Sequence, residues 1–189
     1  MEIELNAEAK DRRLNRMVAL TVVVLSIFTG LCNIKDGNIV QAMQQAKADS
    51  VDLWNEYQAA RTKLHIVETA RQEMAVVAAL SPAAGKAAEP RLADLDREAA
   101  RYKAEAPDLQ TRAKAAAAQY DALNIHDDQF DASEALLSIA ISMAAVAALT
   151  ESQMLLSVSW GFGVFGLFMG VCGFAGWGFH PDVLSNFLG

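Results

Sequence analysis

Few side chains in this sequence have wide chemical repertoires, and most of those stand apart. His126, Asp127, Asp128 and Asp131 form the densest group of metal-ligating types, since imidazole and carboxylate both bind divalent cations. Their spacing matches no helical two-ligand pattern such as His-x-x-x-His. Acidic residues ahead of an apolar helix commonly cap it, and here Asp131 or Ser133 can take that place, with Glu134 in the first turn. No metal site is expected. His65 and His180 are solitary. Cys32 and Cys172 lie in apolar stretches that contain no His, Lys or Arg to lower a thiol pKa, so neither is expected to act as a nucleophile. They also set no disulfide framework. The sequence has no Walker loop and no Gly-x-Ser-x-Gly elbow. The expectation is a non-enzymatic chain with no catalytic residue and no cofactor.

The sharpest motif is one of packing. Gly163, Gly166, Gly170 and Gly173 recur at 3-4-3 spacing, followed by Trp177. Small-x-x-x-small faces let helix backbones approach closely, because no side chain separates them. The neighbour is either another segment of the same chain or a second subunit, and the sequence reading favours a second subunit.

These glycines need a membrane-length helix to carry them. Residues 155–179 contain no charge, with Trp160 near one end and Trp177 near the other, as interfacial aromatic anchors would be placed. His180-Pro181-Asp182 is expected to end this span. Residues 17–34 are also uncharged and rich in Val, Leu and Ile, long enough to cross a ~30 Å hydrocarbon core. That stretch exceeds the ~7–15 residues of a signal-peptide core and has no A-x-A site after it, so an uncleaved anchor is expected. A third apolar segment, 132–150, lies between Glu134 and Glu151 in its core. It is marginal in length and reads either as a span or as a buried core helix; its short connection to the last span favours a spanning hairpin. Lys10, Arg12, Arg13 and Arg16 precede the first span, and no comparable cluster follows it. The positive-inside rule then places residues 1–16 in the cytoplasm, with 36–131 and the 180–189 tail on the other side.

The intervening segment carries heptads. From Ile39 to Ala78 a 4-3 spacing runs through Leu53, Tyr57 and Leu64, with Ser50 and Arg71 as its polar exceptions. Two prolines and a glycine predict a loop over 81–90. The spacing resumes through Leu92, Leu95, Tyr102, Leu109 and Tyr120. A 3.5-residue period on both sides of a loop predicts an antiparallel coiled-coil-like hairpin over 36–131, outside the membrane. Pro107 falls within the second arm and is expected to start a turn or kink it. The net charge of -7 argues against nucleic acid as a partner.

Leu14-Asn15-Arg16, leading into Val18-Ala19-Leu20-Thr21, then Lys35 through Ala46 (KDGNIVQAMQQA), then Trp54-Asn55-x-Tyr57-Gln58, resemble a family of small bacterial membrane proteins catalogued as domain of unknown function four-three-three-seven. The resemblance covers most of the chain and is most specific between residues 14 and 58. It implies a mostly helical bacterial inner-membrane protein with no known activity, and brings no catalytic residues.

The expected protein is therefore all-α. Three transmembrane helices contact lipid, and a helical hairpin serves self-association into a homo-oligomer or attachment to a larger membrane complex. The alternative is an oligomeric channel or transport module lined by the glycine-rich span, although the spans lack the polar stripe or charged ring that would set selectivity.

Overall fold

No proline precedes Pro82, and only Gly30 and Gly37 interrupt the helix-forming composition of the first 78 residues, so nothing there stops a helix. The computed structural model, which describes the backbone of residues 2–179 and the side chains of residues 12–179, has one uninterrupted helix over that stretch. α1 spans Glu2–Ala78, α2 Pro82–Leu149 and α3 Gln153–Ala175, with no strand among the described residues. The Lys10 side chain and the 180–189 tail lie outside the described residues.

The loop expected over 81–90 is helical, and the turn is confined to residues 79–81. Ser81 caps α2, its Oγ accepting from the Ala84 N–H at 3.1 Å. Pro82 then takes the first helical position, where its missing N–H is no loss. Gly85 permits the tight reversal: a Cβ there would lie 3.3 Å from the Ala78 carbonyl oxygen. Pro90 and Pro107 both sit inside α2. Each is solvent-exposed, so water can reach the carbonyl that each proline leaves without a donor. Asp131 and Ser133, read as caps from the sequence, are interior positions of α2. The last helix stops at Ala175, earlier than residue 179. Gly176 takes the left-handed conformation at φ 67°, and Trp177 N–H donates back to the Cys172 carbonyl at 3.0 Å. This is a Schellman ending, in which glycine avoids the Cβ penalty.

The chain divides into two units, one built from Met1–Met43 with Asp121–Gly189 and one from Gln44–Tyr120. The boundary falls inside the predicted 36–131 segment, whose two ends belong with the apolar unit. In the apolar unit, Leu14 and Val18 meet Ala144, Ala147 and Leu156, while Leu25 meets Leu137 and Ala140. Rising numbers on α1 match falling numbers on α2, so these portions are antiparallel, and α3 runs alongside α1. Small residues line much of the interior, Ala140, Ala144 and Ala147 being fully buried alongside Leu137, Leu156, Met169 and Phe130. Other large apolar side chains face outward, with Leu20 62% and Val164 66% exposed.

In the second unit, Val67 packs with Leu95 and Ala99, and Ala60 with Ala106 and Leu109. These pairs also descend on one arm as they ascend on the other. Ala113, at 0% exposure, shows how an alanine-rich seam brings the backbones together. The two polar exceptions in the heptads both find partners across the seam. Ser50 Oγ donates to the Ala113 carbonyl at 3.4 Å, and Arg71 pairs with Asp96.

Candidate functional site

The glycine stripe of α3 is packed from within the chain. Gly163, Gly166, Gly170 and Gly173 are all buried. A Cβ at Gly163 would stand 3.2 Å from a methyl of Leu25, and one at Gly166 would stand 2.9 Å from Leu137. At Gly173 it would meet the Phe130 ring at 2.7 Å. The stripe is thus the surface on which α1 and α2 lie, where the sequence reading favours a second subunit. The physical reason is volume: the rings of Phe28 and Phe130, from the other two helices, occupy the space that the absent side chains leave. Two buried hydroxyls fasten the same contact. Ser133 Oγ donates to the Gly166 carbonyl at 2.8 Å, and Ser159 Oγ donates to the Ala140 carbonyl at 2.7 Å.

The two tryptophans expected as interfacial anchors differ from each other. Trp160 is 43% exposed, and its indole N–H donates to Thr21 Oγ1 at 2.9 Å, so its polar end is bound to α1. Trp177 lies beyond the α3 cap and is 55% exposed. Its carbonyl accepts from the Gln129 side-chain amide at 2.7 Å. Gln129 is fully buried, reaches the Phe179 carbonyl as well, and contacts His126 Nδ1 through its own oxygen at 3.0 Å. Gln129 therefore ties the end of α3 to α2, a role with no sequence signal. Among the basic residues before the first span, Arg12, Arg13 and Arg16 are exposed.

Within the same unit, α1 brings Asp36 to the α2 residues Asp127 and Asp131. Asp36 Oδ1 is buried without a hydrogen-bond partner and faces the Asp127 carboxyl. Burial, followed by the charges of Asp36 and Asp131, pushes Asp127 up to about 6. Burial raises Asp36 as well, with Asp131 as the next cause. Asp131 is raised by burial and then by Asp128. Such carboxyls cannot all ionise cheaply, and a proton on Asp127 supplies the donor that Asp36 needs. No group of three His, Cys, Asp or Glu side chains able to hold a metal is assembled among the described residues.

Of the seam residues, Leu95 and Leu109 are buried, while Leu53, Tyr57, Leu64, Leu92, Tyr102 and Tyr120 are half-buried. The seam tyrosines carry cations on their faces: Lys47 stands 5.3 Å from the Tyr120 ring, and Arg101 stands 4.7 Å from that of Tyr102.

These features define an all-α protein with three helices long and apolar enough to cross a membrane. Residues 14–176 match the family described as Domain of unknown function (DUF4337), and the chain belongs to that family. No curated protein and no solved structure matches it.

Proposed function

We propose that this chain is a non-enzymatic integral membrane protein of the bacterial inner membrane, anchored in lipid by its three apolar helical segments. Its residue 44–120 arms form an interaction hairpin outside the membrane, joining copies of the chain or attaching it to a larger membrane complex. The N-terminus is cytoplasmic and the hairpin periplasmic, as the Arg12, Arg13 and Arg16 cluster favours. The observation that supports the anchor is the exposed apolar surface of that unit. Leu20, Val24, Ile27, Leu31, Val164 and Phe168 face outward around an interior rich in alanine and glycine, an arrangement that suits lipid and opposes water.

The interaction reading draws on the arms. Ile66, Val76, Val77 and the turn residue Leu80 are exposed apolar side chains toward the turn end of the arms, Leu80 being 76% exposed. Exposed apolar side chains are candidate contact points for a partner. The packing of Phe28, Leu137 and Phe130 against the glycine stripe favours the interaction reading over a pore lined by those glycines.

The test is the mass of the detergent-purified particle together with the identity of any co-purifying chains. The expected particle exceeds a single chain, and the triple variant Ile66→Ser/Val77→Ser/Leu80→Ser shrinks it. A wild-type particle of one chain with no companion overturns the interaction reading. For topology, Lys86→Cys in the turn-proximal part of α2 should react with an impermeant thiol reagent from outside the inner membrane; reaction only after that membrane is broken reverses the assignment.

A further inference from the structure

α1 and α3 leave an apolar groove on the outside of the apolar unit, with a volume of about 360 Å³. Its walls are Met17, Leu20 and Val24 on α1 and Val164 and Leu167 on α3, and Trp160 and Thr21 lie side by side within it. The Trp160 indole N–H is satisfied by Thr21 Oγ1 at 2.9 Å. From Met17 to Val24 it extends about 10 Å along the helix.

A second helix is a poor occupant. Helices associate in lipid through small residues or interhelical hydrogen bonds. The α1 wall offers Met17, Leu20 and Val24 and a Thr21 oxygen already engaged by Trp160, and the nearby Gly163 is already covered by Leu25. A flexible hydrocarbon chain needs neither small residues nor hydrogen bonds.

The groove also has a charged end. Arg13 lies four residues before Met17, and Arg16 four before Leu20, so each stands one turn above a groove wall on the same helix face. Both are exposed. Among the described side chains of that end, Glu151, on the turn between α2 and α3, is acidic, against Arg13 and Arg16. Guanidinium forks bind phosphate oxygens in pairs.

We propose that this groove is a binding site for an anionic phospholipid, with an acyl chain between α1 and α3 and the headgroup phosphate against Arg13 and Arg16. The inference rests on the membrane-spanning reading above. It adds a preference that the reading does not contain: a specific headgroup charge at one defined place.

Trp160 makes the site observable. The full-length variant Trp54→Phe/Trp177→Phe keeps Trp160 as the sole indole. It is reconstituted into phosphatidylcholine vesicles containing either brominated phosphatidylglycerol or an equal fraction of brominated phosphatidylcholine. Stronger quenching of Trp160 by the anionic lipid is expected. Arg13→Gln and Arg16→Gln should each reduce that preference by about fivefold, and Arg13→Lys/Arg16→Lys should restore most of it. Equal quenching by the two lipids means an unselective lipid shell and overturns the proposal. Absence of quenching by either, in protein that floats with the vesicles and resists carbonate extraction, means that another protein surface covers the groove and overturns it too. Protein that fails to float defeats the membrane-spanning reading itself, a result that the quenching outcomes do not produce.

Discussion

Phe28 occupies the place where Gly170 has no side chain: a Cβ at residue 170 would stand 2.5 Å from Phe28 Cε1 and 2.9 Å from Ser133 Oγ. Real Cβ atoms do not approach that closely, so the ring, the hydroxyl or the helix must move. Gly170→Ala is expected to destabilise the apolar unit by about 1–3 kcal/mol through overpacking, and Gly170→Leu by more. Because the partner ring belongs to the same chain, the mass of the solubilised particle should not change. Gly161 is the internal control, since nothing lies within 4 Å of its built Cβ. Thermal unfolding of Gly161→Ala and Gly170→Ala in detergent should separate the two clearly, and a smaller particle for Gly170→Leu would contradict the intramolecular assignment.

Leu95 is the best-buried large residue of the arms, 2% exposed against Val67 and Ala99. Truncating it to Ala should cost about 2–5 kcal/mol. Leu95→Asp should cost still more, because the charge has no partner in the seam. Circular dichroism melting of the full chain reports both. The ion pair from Lys103 to Glu68, at 2.9 Å and largely exposed, should matter far less: Glu68→Gln is expected to change stability by no more than about 1 kcal/mol.

Asp127 gives the protein a pH dependence of definite sign. Its folded pKa, about 6, exceeds the ordinary value of 3.8, so the folded state holds a proton that the unfolded state has released. The stabilisation is complete below the unfolded pKa and is lost as pH rises through the folded one. Stability should therefore fall between pH 4 and pH 6, attenuated by the partial solvation of the group, with Asp36 and Asp131 adding in the same direction. Asp127→Asn removes the ionisation and should flatten the profile, raising the melting temperature at pH 8 relative to wild type. A wild-type melting temperature that climbs steadily from pH 4 to pH 8 would refute the shared-proton arrangement.

Glu151 sits in the turn between α2 and α3 with φ 51°, the left-handed region where a Cβ is unfavourable. The Ser152 N–H closes the turn on the Ala147 carbonyl at 3.0 Å, the position that glycine commonly fills at a helix C-terminus. Glu151→Gly is expected to stabilise the apolar unit by up to about 1 kcal/mol, read as a higher melting temperature. The gain should disappear with Glu151→Ala, which keeps the Cβ.

The sequence alone determined the helices and the faces they bury. The 3.5-residue spacing through Leu95, Tyr102 and Leu109 marked the seam, because a helix repeats its buried face whatever it packs against. Uncharged stretches marked the three apolar segments by length and composition. Pro90 and Gly85 read as breakers and point to a loop over 81–90, yet both lie in α2, because proline on an exposed helix face and glycine at a tight crossing are both compatible with helix. Tertiary structure decided what the glycines face. A stripe of small residues states that something approaches closely, yet it carries no label for the partner, and only the rings of Phe28 and Phe130 settled that it lies within the chain. The meeting of Asp36 with Asp127 was likewise invisible. Their separation of ninety-one positions follows from the register of α1 against α2, which is set by side-chain packing along the whole contact and is written in no local pattern.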